Sequence, residues 1–381
     1  MRLPVAFVLS SVVAATPLVG QVGAHAPLDH EAIARQVIAA LALQPGERVL
    51  LVGHPQFARE LIRPMRLEIV RQGGVDLGFM EVLSDPRSGD DASRRAARAA
   101  LRVLMNDVDA AVMMPGSSSD HPEYQAMQDV LQSGRGRTIH LHWDANGSIG
   151  LLPGHPAPPL YQVDLAYQRA LLETDLAALR RSQDRFIAAM RGGLVRVTSP
   201  AGTDVRFRIG DRPVNRQDGD ASAARAARGR ILIDREIELP AGAIRVAPLE
   251  ESVSGTVVFP ISSWSNRDVR DLRLVFREGR VVELTAASGA DAVRAELAAG
   301  GDGASRFREF ALGMNPLLAV PDRQPWIPYY GYGAGVVRLS LGDNSELGGR
   351  VGGGYVRWNF FVDTSVWIDG EQWVRDGRLI R

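Results

Sequence analysis

The chain has 381 residues, with 44 basic and 44 acidic side chains, so its formal net charge is zero; it has no cysteine, and every basic residue is arginine. The missing cysteine excludes disulfides, thiolate metal sites and cysteine nucleophiles, and the missing lysine excludes Schiff-base, P-loop and Ser–Lys chemistries. Balanced charge gives no basic face of the kind that holds nucleic acid.

Residues 1–24 read as a cleavable signal peptide. Arg2 gives a positive start, an apolar stretch runs from Val5 to Gly20, and Val22-Gly23-Ala24 supplies small residues for cleavage. With Pro17 inside it, the stretch is no stable membrane span, which needs about 20 apolar residues. A periplasmic or secreted location is expected, the alternative being a cytoplasmic protein behind a mis-assigned start.

From residue 28, helix and strand alternate: helix 33–43, strand 48–52, helix 56–73, strand 75–82, helix 91–105, strand 109–114 and strand 138–143. A loop at 116–120 offers Ser119 or Asp120 as cap for a helix reaching 132. Strands separated by helices predict an α/β domain over 28–160, with a parallel sheet of flavodoxin-like or related type. The proline-rich stretch 153–159 ends it, and one helical linker is predicted over 161–192. From 193 to 381 the character changes to α+β. Short alternating runs at 195–198, 204–209, 231–237, 255–260, 272–276 and 280–285 predict antiparallel strands, with a helix at 291–299 and glycine-rich strands beyond 331. Arg277-Glu278-Gly279 is a hairpin turn.

In the first half, His140 and His142 lie two apart on a strand and leave the same face. With Asp144 and His155 nearby they offer a metal site, against the plainer alternative of hydrogen-bonded imidazoles in a half-buried strand. The loop Gly116-Ser117-Ser118-Ser119-Asp120-His121 follows a strand at the ligand-binding end of a parallel sheet, but it reads as a capping loop, and His54 likewise.

The second half carries ordered blocks. Leu239-Pro240-Ala241-Gly242, Ala247-Pro248-Leu249-Glu250-Glu251-Ser252-Val253-Ser254-Gly255-Thr256 and Arg308-Glu309-Phe310-Ala311-Leu312-Gly313-Met314-Asn315-Pro316 resemble the aminopeptidase S/aminopeptidase T family of dinuclear metallo-aminopeptidases. So do Gly342-Asp343-Asn344, Val366-Trp367-Ile368-Asp369-Gly370 and Arg375-Asp376-Gly377; in the first half, Leu43-Gln44-Pro45-Gly46-Glu47-Arg48-Val49 resembles the family's opening strand. The resemblance implies an exopeptidase fold, a homodimer and two divalent metal ions held by two Glu, two His and an Asp. Two such cations turn a bridging water into a nucleophile at neutral pH, and carboxylates neutralise them.

Carried over position by position, that set fails. Ala243 stands for the first Glu, Glu309 is retained, Arg338 stands for a His, and Arg357 and Asn359 stand for the His-x-Asp pair. A shifted alignment uses Phe361 and Asp363 instead, and no His occurs after His155. Guanidiniums thus replace metal ligands. Arg338 and Arg357 are expected either to neutralise Glu309 or to bind a ligand carboxylate or phosphate together with Asn359. Tyr330 and Tyr332, in an aromatic loop with Trp326 and Tyr329, form a wall for that pocket, a dimer contact or ordinary core cover. The expectation is a fold that has lost its metals and binds a small anionic or peptide ligand, with no cofactor. The alternatives are a peptidase using Glu250, Glu251, Asp343 or Asp363 as metal ligands, and a metal-free enzyme with Glu309 as acid or base.

Overall fold

The computed structural model describes residues 26–82, 89–143, 148–228 and 232–381. The residues expected to form an export signal, and Asp144, lie outside them. Among the described residues no helix is long and apolar enough to cross a membrane.

A five-stranded parallel sheet has the order Val75–Glu81, Arg48–Gly53, Ala110–Met113, Thr138–Leu141, Glu236–Leu239. Its inner strands are apolar because both faces are covered. Val49 and Leu51 join the core beneath helices His30–Leu41 and Pro55–Arg71, while Leu50 and Val52 face Met105, Tyr124 and Met127 of the opposite helices. The fifth strand corrects the expectation for 231–237. It comes from the second half of the chain, and its backbone continues the parallel ladder beside Thr138–Leu141 rather than an antiparallel one. Glu236 lies in register with Thr138 and Glu238 with His140.

The helix reaching Gln132 begins at Pro122, so neither Ser119 nor Asp120 caps it; proline at the first helical position sets the start. The segment read as one linker helix is two, Leu160–Glu173 and Leu176–Gly192, because Asp175 accepts a hydrogen bond from the Ala178 N–H and restarts the helix. Both contribute to the main core, Tyr167 from one and Phe186 from the other.

The rest builds two antiparallel sheets. The larger has eight strands in the order Arg280–Thr285, Arg267–Arg277, Ser254–Trp264, Asp204–Phe207, Val195–Thr198, Ser365–Ile368, Glu371–Arg375, Arg378–Leu379. Four of its hairpins turn on two residues that both have positive φ, Ser265-Asn266, Glu278-Gly279, Asp369-Gly370 and Asp376-Gly377, which matches the right-handed twist of the strands they join. The smaller has the order Val356–Arg357, Val337–Gly342, Phe307–Gly313, Ala243–Val246, Val214–Arg216, with Phe360–Phe361 also paired to Val337–Gly342. An α/β half with a parallel sheet and a strand-rich half with antiparallel sheets is the predicted fold class.

Candidate functional site: a buried arginine cluster around Glu309

The smaller sheet presents two unlike faces. Ile244, Val246, Phe310, Leu312, Val337, Leu339 and Leu341 belong to the apolar core. Side chains alternate along a strand, so Arg245, Glu309, Arg338 and Ser340 share the other face, with Glu309 opposite Ser340 and Ala311 opposite both Arg338 and Arg245.

Glu309 is fully buried, and cations surround it. Arg245 donates to its Oε2 from Nε (3.2 Å) and Nη2 (3.1 Å), Ser340 Oγ donates to Oε1 (3.1 Å), and Arg338 Nε lies 2.7 Å from Oε1. Arg308 Nε is 3.8 Å away. Burial alone would raise this carboxyl, but the guanidiniums of Arg245, Arg338 and Arg308 outweigh it and hold Glu309 far below the usual carboxylate range. Glu346 closes the set, accepting from Arg245 Nη2 (2.7 Å) and from Arg308 Nη2. Burial raises its carboxyl too, yet Arg308 and Arg245 bring the balance below normal.

Arg338 stacks on the Trp358 ring, its Cζ 4.8 Å from the centroid, and Phe360 lies 6.0 Å away on the strand paired with it. The residues expected from the closing His-x-Asp block do not join this cluster. Arg357 lies opposite Leu341 and Phe361 opposite Val337, residues of the apolar core face. Arg357 accordingly donates to Glu296 Oε1 (2.8 Å), the Ser263 carbonyl (2.7 Å) and Asn359 Oδ1 (3.2 Å), and sits 3.5 Å over the Trp264 ring. Asn359 donates to the Leu339 carbonyl (3.0 Å), Phe361 packs on Phe259, and Asp363 is exposed. Arg338 and Arg357 therefore leave opposite faces and share no anion. Trp358 and Phe360 face Glu309's side, one residue along from the expected pair, because one step along a strand reverses the face.

The aromatic loop covers the main core, which includes Trp326, Tyr329 and Tyr332, with Tyr330 packed against it. Tyr329 and Tyr330 both have left-handed backbone (φ 38° and 52°), uncommon for bulky residues. That turn sets the Tyr330 ring 5.6 Å from Trp358 on one side and 5.6 Å from His142 on the other, while the Tyr330 carbonyl accepts from Arg338 Nη1 (3.3 Å). Tyr332 donates to Glu238 (2.6 Å), and both act electrostatically on Arg245.

His140 and His142 do face one way, and Glu236 joins them. His140 Nδ1 lies 2.6 Å from Tyr124 Oη, 3.1 Å from Glu236 Oε1 and 3.3 Å from His142 Nε2. Burial, then the neighbouring His142, push His140 well below the ordinary histidine value, so it is neutral. Burial first and Glu346 second push the Glu236 carboxyl up to about 8. His155 is exposed on its loop, and among the described residues no group of three His, Cys, Asp or Glu is placed to hold a metal ion.

Residues 195–318 match the model of the thermophilic metalloprotease family (M29). The resemblance to the metallo-aminopeptidases is thereby shown. Two solved structures share the whole fold. Wild-type AmpT from Thermus thermophilus is 16% identical with a TM-score of 0.63, over 92% of this chain and 99% of its own. The 2,5-dihydroxypyridine dioxygenase from Pseudomonas putida KT2440 is 15% identical with a TM-score of 0.59, over 93% and 98%. No curated protein matches the chain in sequence. A fold that a dioxygenase also adopts sets no single chemistry, so function has to be argued from the site.

A dinuclear metal centre does not fit the residues present. The one retained carboxylate is taken up by three guanidiniums, and the neighbouring positions hold Ala243, Arg338, Trp358 and Phe360 in place of lone-pair donors. The sequence did not single out Arg245, Arg308, Glu346, Trp358, Phe360 or Glu236. Arg245 was legible, since it stands two residues from Ala243 on the same strand and must share its face.

Proposed function

We propose that this protein keeps the metallo-aminopeptidase fold and binds a small anionic or peptide ligand where that family holds its metal ions. The observation that carries this reading is the encirclement of Glu309 by Arg245, Arg308 and Arg338. Fixed guanidinium charge neutralises the carboxylate that a metal would have used, and a divalent cation entering there would meet three like charges.

The alternatives fare worse on the same geometry. Glu250 is engaged by Arg212, Arg350 and Asn344, and Asp343 caps the turn at Ser345, so neither is free to ligate a metal. Glu309 is a poor acid or base, because a carboxylate held ionised by three guanidiniums gives and takes protons reluctantly. Export of the chain and its assembly as a homodimer belong to the same proposal, on the N-terminal pattern and the family resemblance.

Metal analysis after growth with zinc, cobalt and manganese, together with hydrolysis of Leu-p-nitroanilide, tests the reading. Neither stoichiometric metal nor turnover is expected. Stoichiometric metal in the second half of the chain with chelator-sensitive hydrolysis would overturn it.

A further inference from the structure

Four buried nitrogens beside Glu309 lack a hydrogen-bond acceptor, and all four are donors: Arg338 Nε and Nη2, Arg308 Nε and Trp358 Nε1. The two Nε atoms still face the Glu309 carboxylate, at 2.7 Å and 3.8 Å. Arg338 Nη2 and Trp358 Nε1 have no such counterpart, although Arg338 is only 3% exposed. A buried donor with no acceptor costs about 1–3 kcal/mol, more when charged, so the pair is unfavourable unless an acceptor arrives.

The charge count points the same way. Glu309 is shared among the guanidiniums of Arg245, Arg308 and Arg338, while Glu346 also pairs with Arg245 and Arg308 and Glu238 also acts on Arg245, so Arg338 has only a share in one carboxylate. An acceptor for Arg338 Nη2 is therefore favoured when it carries negative charge. It also meets two donors on side chains that touch, a guanidinium and the indole stacked under it. A carboxylate carries negative charge and two oxygens in one plane, one for each donor. The Tyr330 ring beside Trp358 offers apolar surface for the body of such a molecule.

We propose that Arg338 Nη2 and Trp358 Nε1 form a subsite for the carboxylate of a small organic acid or peptide, an assignment that rests on the anion-binding reading above. The guanidinium supplies charge and the indole N–H supplies direction.

Calorimetric titration of the full chain at pH 7 with sodium acetate, and separately with inorganic phosphate, in chloride-free buffer tests it. Acetate is expected to saturate the wild type and to outcompete phosphate. Trp358→Phe keeps an aromatic ring beside Arg338 and removes the N–H, so acetate affinity should fall about tenfold, the loss of one hydrogen bond to a charged group. Arg338→Lys should weaken it at least as much, while Arg375→Met, exposed on the larger sheet, should leave it unchanged. Equal acetate affinity in wild type and Trp358→Phe overturns the subsite, as does failure of acetate to bind at all. Phosphate binding that Arg338→Lys abolishes, with no acetate binding, overturns the carboxylate assignment and leaves the anion-binding reading standing. Stoichiometric zinc would remove that reading itself.

Discussion

Replacing Glu236 by glutamine should make the protein more stable at alkaline pH and change little at acid pH. Its carboxyl lies between Tyr124 Oη (3.2 Å), His140 Nδ1 (3.1 Å) and Gln128 Nε2 (2.7 Å), and the carboxylates of Glu346 and of Glu238, two residues along its own strand, act on it against the guanidinium of Arg245. Burial and the Glu346 charge keep it protonated to about pH 8 in the fold, against an ordinary 4.5 in the unfolded chain. The folded state then binds more protons than the unfolded state between those values. Stability from this group is full below pH 4.5 and is lost as pH rises toward 8, by about 1.4 kcal/mol per pH unit. The loss totals about 5 kcal/mol, an upper bound because the side chain retains 18% exposure to water.

Glutamine matches the protonated acid in size and cannot ionise. Denaturant unfolding of both proteins at half-unit steps from pH 5 to 9 should give a stability difference that widens steadily up to pH 8 and then levels. The Glu346→Gln background removes one of the carboxylate charges acting on Glu236 and should shift the widening to lower pH. A difference that is the same at pH 5 and pH 8.5 would refute the reasoning, since Glu236 would then titrate as it does in the unfolded chain.

Two further outcomes separate the faces of the smaller sheet. A four-fold variant with Ala243→Glu, Arg338→His, Trp358→His and Phe360→Asp should retain zinc through gel filtration, while the set with Arg357→His and Asn359→Asp in place of the last two should not; zinc held by the second set alone would mean the register is wrong. Arg357→Met removes the partner of buried Glu296 and should cost about 3–5 kcal/mol in denaturant unfolding, so a loss below 1 kcal/mol would count against a structural role for that pair.

Local patterns were legible in the sequence and long-range pairing was not. Strand 195–198, helix 91–105 and the Glu278-Gly279 turn depend on periodicity and positive φ at adjacent residues, so they read directly. The strand Glu236–Leu239 joining the first sheet depends on which edge stands free beside Thr138–Leu141, about a hundred residues away, and no local feature records that. The site shows the same division. Glu309 and Arg338 were found because the blocks around them align, with Arg338 one pairing step from Glu309. The pair in the closing block slipped by one residue because Arg357-Trp358-Asn359-Phe360 alternates polar and aromatic side chains, and either parity suits a buried strand. The polar parity resembles a ligand set, yet it is the aromatic parity that lies against Arg338.

The arginine cluster is itself informative, because a buried ion network is a poor way to stabilise a sheet. Desolvating three guanidiniums and two carboxylates costs several kcal/mol per ion, and close pairing only about recovers it. The other face of the same three strands shows the cheaper solution, with Ile244, Val246, Phe310 and Leu312 packed into the core. If the charged face were only structural, apolar side chains of similar size would serve as well. The triple variant Arg245→Met, Glu309→Leu, Arg338→Met should therefore fold and be unchanged or more stable by about 1–4 kcal/mol, the range seen when buried ion networks are replaced by packed apolar groups. Arg308 and Glu346 remain paired in it, so no lone charge is left buried. Acetate binding should be lost completely. Collapse of the triple variant, with near-ultraviolet circular dichroism gone, would show that the charges hold the fold together and are not kept for a ligand. Undiminished acetate binding would place the anion somewhere else.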